Sequence, residues 1–148
     1  MKTKRSFKDS LWPPVDTEQG RKDAITYGTV AAGWIALSYL FGLVYMFATG
    51  EVLAVGAVED GAEFVGWVAV HAVIAAVAAV LCWRIWRAQS RVAAIITLGW
   101  VLVEVVVKLA MTPGQGLVIS AIVALAAING VRGARAHARL RATGETGA

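Results

Sequence analysis

Residues 64–111 read FVGWVAVHAVIAAVAAVLCWRIWRAQSRVAAIITLGWVLVEVVVKLAM: two apolar runs joined by a short turn that holds two tryptophans and three arginines. Each run, about 64–83 and 92–111, is long enough to cross ~30 Å of hydrocarbon as a helix rising 1.5 Å per residue. Neither run alternates apolar with polar residues, as a strand facing water on one side would. Within a bilayer an open sheet edge leaves amides unpaired, whereas a helix satisfies its own. Trp83-Arg84-Ile85-Trp86-Arg87, followed by Arg91, has the composition of a membrane interface, aromatic residues beside anchoring cations.

The same pattern extends in both directions. Upstream, residues 24–48 form an apolar run of roughly 37 Å as a helix. It is too long for a signal-peptide core, and the segment before it carries acids as well as bases, so retention is expected. Downstream, Thr112-Pro113-Gly114-Gln115-Gly116 is rich in chain breakers. A fourth run of about 117–128 follows, and Asn129-Gly130 marks an expected helix end or kink. The reading is all-α: a transmembrane four-helix bundle spanning 24–131, between an N-terminal arm (1–23) and a basic tail (132–148). The prolines of Trp12-Pro13-Pro14 bar a continuous helix in the arm, and Trp12 suits the headgroup level.

Composition agrees with this solvent. Of 148 residues, 58% are apolar and 16% charged, against about 25% charged in an ordinary soluble domain. Mean hydropathy is +0.65. Too little polar surface exists to coat four such segments in water. The net charge of +4 is distributed by side. Thirteen of the fourteen Lys and Arg fall in the arm, the turn between runs two and three, and the tail; the loops after runs one and three hold none. Four crossings place every cationic segment on one side, which the positive-inside rule makes the cytoplasm, with both termini there. Nucleic-acid binding would want interleaved aromatics or a recognisable module in the basic tail, and neither is present.

A single cysteine, Cys82, excludes an internal disulfide and a Cys-x-x-Cys pair. Its apolar setting reads as a small core residue. No cofactor or metal site is expected, and one intramembrane histidine, His71, cannot ligate a haem on both faces.

Two charges lie inside a predicted span. Glu104 and Lys108 stand four residues apart on one helix face, and charge at membrane depth costs on the order of 2.5–3.5 kcal/mol at a helix centre. They read either as an ion- or proton-handling carboxylate with its neighbour or as a structural pair in the favourable order, with Lys108 snorkelling outward. His71 and Glu104 both sit roughly 10–12 Å below the same surface. Tyr45, Tyr39 and Ser120 fall near that depth, so a polar cluster of Glu104, Lys108, His71, Tyr45 and Ser120 is geometrically open. Stripes of small residues (Gly28, Ala32, Ala36; Ala72 and Ala76 with Ala75 and Ala79; Gly116, Ser120, Ala124) allow close helix approach. Arg84, Arg87, Arg91, Arg132, Arg135 and Arg139 are candidate contacts for anionic lipid headgroups.

The stretch from Trp100 through Glu104 and Lys108 to Asn129-Gly130-Val131-Arg132-Gly133 resembles small uncharacterised four-span bacterial inner-membrane proteins with an Asn-Gly-x-Arg-Gly tail. That resemblance implies a bacterial inner membrane and supplies no activity. Small multidrug transporters carry their carboxylate in helix one, where this chain has none, and four-helix b-type cytochromes need several intramembrane histidines. Two roles lead: a non-catalytic accessory or interaction subunit, partnered by the bilayer and by other membrane subunits or copies of itself, and a small oligomeric transporter or ion pathway using the intramembrane carboxylate. An enzyme comes third, since one carboxylate and one buried His give no nucleophile–base–orienter set.

Overall fold

The computed structural model describes residues 6–52, 56–58, 60–111 and 116–144. A short helix α1 (Phe7–Leu11) precedes four long helices, α2 (Glu18–Thr49), α3 (Gly61–Ala88), α4 (Arg91–Met111) and α5 (Leu117–Thr143). All four long helices are long and apolar enough to cross a membrane. Between α2 and α3 a two-residue antiparallel ribbon pairs Glu51 with Ala57 and Val52 with Gly56. The Gln115 end of the turn before α5, and most of that turn, lies outside the described residues.

Helix ends differ from the hydropathy boundaries because capping chemistry, not hydropathy, sets them. Helix α2 begins at Glu18, inside the expected arm. The Thr17 side chain accepts from the Gly20 amide at 3.1 Å, and Lys22 bridges to Glu18 at 2.6 Å one turn on. Helix α3 keeps the Trp83–Arg87 segment helical and stops only at Gln89, whose left-handed backbone (φ 49°) reverses the chain. Helix α4 then starts immediately, its Ala93 amide capped by the Ser90 hydroxyl at 3.3 Å.

Of the helix end or kink expected at Asn129-Gly130, the end does not occur: α5 runs through these residues to Thr143 and ends on the left-handed Gly144. Gly130 is where α5 meets α2. A β-carbon placed on Gly130 would lie 2.4 Å from the Gly28 α-carbon. The glycine costs helix propensity of about 1 kcal/mol, and the close approach of two backbones offsets it.

Helix α2 is the centre of the bundle, packed extensively against α3 and α5, while α4 packs on α5 and only sparsely on α3. The core is made of small and branched residues. Ile25, Ala32, Ile85, Ala93, Ala94, Val131 and Ala134 form one cluster. Ala31, Ile35, Ala36, Ala78, Val101, Val123 and Ala127 form the other. The predicted stripe Gly28, Ala32, Ala36 is buried throughout. On α3 the stripe divides: Ala75 and Ala78 are buried, whereas Ala72, Ala76 and Ala79 face outward. Large apolar side chains cover the outside, among them Phe47 at 72% and Val73 at 62% exposure. A continuous apolar exterior of this kind marks hydrocarbon as the solvent. The chain is a multi-pass membrane protein.

Candidate functional site

The intramembrane polar groups gather on the seam of α2, α3 and α4. Tyr39, on α2, is in the middle. Its ring lies 5.3 Å from that of His71, tilted by 58°, and 6.3 Å from that of Trp100, edge to face at 80°. Its hydroxyl lies within the electrostatic reach of the half-buried Glu104 side chain and of Trp100.

His71 is held by its own helix and by a missing side chain opposite. Its Nδ1 lies 3.0 Å from the Trp67 carbonyl one turn earlier. A carbonyl only accepts, so Nδ1 carries the proton in this contact and Nε2 keeps a lone pair. The ring rests against α2 at Gly42, where a β-carbon would come within 2.9 Å of His71 Cδ2. Trp67 closes the far side, its ring 6.4 Å from that of His71. The Tyr39–His71 contact is ring to ring.

The other predicted members make contacts beyond Tyr39. Lys108 Nζ donates across to α5, reaching the buried Ser120 hydroxyl at 3.4 Å. Tyr45 turns away to the ribbon, its hydroxyl donating to Glu51 Oε2 at 3.1 Å. Of the predicted five, Glu104 and His71 are both neighbours of Tyr39, Lys108 reaches Ser120, and Tyr45 bonds Glu51 instead. Gly42, Trp67 and Trp100 complete the seam and were not singled out from sequence. Only their helical register relative to His71 and Tyr39 signals them. No group of three His, Cys, Asp or Glu suited to a metal occurs among the described residues.

At the other end of the bundle the six candidate arginines also divide. Arg132 is committed inward. It donates to Asn129 Oδ1 at 2.8 Å and lies 3.7 Å over the Trp12 ring, while Asn129 Nδ2 donates to the Leu11 carbonyl at 2.9 Å. Tyr27 bonds the Ser10 carbonyl on the same segment. The arm is therefore fastened to the bundle through Trp12 rather than lying free. Arg84 and Arg87 remain on the exposed end of α3, Arg87 5.6 Å from the Trp86 ring. Arg91, Arg135 and Arg139 converge, with Ala138 and Ala142, on a cavity of about 370 Å³. Cys82, on α3, points at α2 and donates to the Thr29 carbonyl at 3.5 Å.

No family model, curated protein or solved structure matches the chain.

Proposed function

We propose that this protein is a non-catalytic accessory subunit that packs, through the outer face of α3, against a transmembrane helix of another subunit. The observation that carries the reading is how little of α3 is covered, although one face of it packs along α2. Of its 28 residues only Ala75, Ala78 and Ile85 are buried. The outward face repeats small residues at Ala72, Ala76 and Ala79, the spacing that lets a second helix approach closely in lipid. His71, half-buried beside this face, adds a polar group whose remaining exposure a partner helix would remove. A bacterial inner membrane, with both termini cytoplasmic, fits the one-sided cations.

A photo-crosslinker at Ala76 tests it. The reading expects a specific membrane-protein adduct from Ala76 and none from the lipid-facing Val44 or Val118. Protein that purifies alone and monodisperse, with no adduct at either position, removes the reading.

The closeness of Tyr39 to the intramembrane Glu104 favours a second role, a small transporter or ion pathway using Glu104 with His71 and Lys108. A proton relay needs hydrogen-bonded steps, and the ring-to-ring Tyr39–His71 contact supplies none, so this role ranks second. Glu104→Gln in a proteoliposome flux assay decides it: flux equal to wild type ends this reading.

A further inference from the structure

We propose that Arg91, Arg135 and Arg139 form a binding site for a net-anionic phosphate at the membrane surface. The three come from two helices. Arg91 is the first residue of α4, and Arg135 and Arg139 lie one turn apart on α5. They border one cavity of about 370 Å³, whose other lining residues are Ala138 and Ala142. That volume falls within the range of ligand pockets, about 300–1,000 Å³.

Packing holds the arrangement in place. Gly133 and Ala134 bury against α2, a β-carbon on Gly133 coming within 2.9 Å of Ala24 Cβ. This fixes the rotation of α5, so the row 135, 138, 139, 142 opens toward the start of α4. The two alanines leave the floor of the cavity clear. No carboxylate lines it, and among the described residues none of the three guanidinium groups has an ion pair or side-chain hydrogen bond. Three like charges around one cavity repel each other, and a phosphate relieves that repulsion. Guanidinium forks match phosphate oxygens bidentately, and the amino end of α4 adds its dipole at the same place.

The level of the cavity indicates the bound chemistry. Arg91 immediately precedes the apolar run of α4, and Arg135 lies about two turns past the apolar run of α5. Both positions are at the depth of lipid headgroups, where a lipid phosphate or a soluble phosphate could enter.

The test is native mass spectrometry of full-length protein in detergent, titrated with phosphatidylglycerol or phosphatidylcholine. Wild type is expected to retain phosphatidylglycerol. Arg135→Gln with Arg139→Gln lowers that retention by about tenfold or more, equivalent to about 1.4 kcal/mol or more. Lys8→Gln with Lys22→Gln, which removes equal charge outside the cavity, leaves it unchanged. Ala138→Leu keeps every charge, fills the floor and also lowers retention. Inorganic phosphate separates the sources: displacement of the lipid at millimolar phosphate assigns a soluble phosphate, and no displacement assigns the headgroup. Equal retention by the two double variants overturns the site, as does equal retention of phosphatidylcholine by wild type.

Discussion

Gly28 on α2 and Gly130 on α5 touch backbone to backbone, and neither has room for a side chain: a β-carbon on Gly28 would come within 2.7 Å of the Gly130 α-carbon. This contact brings α2 and α5 together, and with them Gly133 onto Ala24 and the cavity arginines toward α4.

Gly130→Ala therefore destabilises the bundle by about 1–3 kcal/mol, the usual cost of overpacking, despite alanine's better helix propensity. Gly66→Ala and Gly99→Ala, whose β-carbons meet nothing within 4 Å, leave stability unchanged or slightly raised. Unfolding in detergent, followed by circular dichroism, measures the difference.

Trp12, Asn129 and Arg132 act as one fastening. Arg132→Ala removes both the contact over Trp12 and the bond to Asn129; the stacking alone contributes roughly 0.5–2 kcal/mol. Trp12 emission shifts to the red, and limited proteolysis cuts between Phe7 and Val15 faster than in wild type. Arg132→Lys, which keeps the charge but loses the planar fork, restores the protection only in part.

The two faces of α3 respond oppositely to bulk. Ala75 is 5% exposed, so Ala75→Trp forces α2 and α3 apart and lowers unfolding stability by about 1–3 kcal/mol or more. Ala76→Trp, on the outward face, leaves unfolding as in wild type and abolishes the adduct formed from the Ala72 and Ala79 positions. Loss of stability in both variants would show that this outer face is not free for a partner.

Cys82 faces the Thr29 carbonyl at 3.5 Å between α2 and α3. It resists membrane-impermeant maleimides from either side. Cys82→Ala folds, with a cost of about 1–2 kcal/mol for the atoms removed.

The spans and the basic turn are legible in sequence because hydropathy and charge report directly on solvent. Helix ends are less so. Asn129-Gly130 reads locally as a helix end or kink, and the approach of Gly28 comes from a distant segment. Depth counting placed His71 and Glu104 at one level but could not rank Tyr39 above Tyr45, since that choice depends on which way each ring turns from α2. Asn129 reaching Leu11, far away in the chain, has no local signal. The α3 stripe shows the same limit: small residues at 72, 75, 76 and 79 announce two faces, and packing alone divides inner from outer.

Placement of these helices across a bilayer, with the cationic ends on one side, underlies every role assigned above. Single cysteines introduced at Ala57 and at Ala88 in the Cys82→Ala background test it by labelling with an impermeant maleimide. The expected result is labelling at residue 57 in intact cells and at residue 88 only after permeabilisation. Labelling at 88 from outside, or none at 57, contradicts the topology.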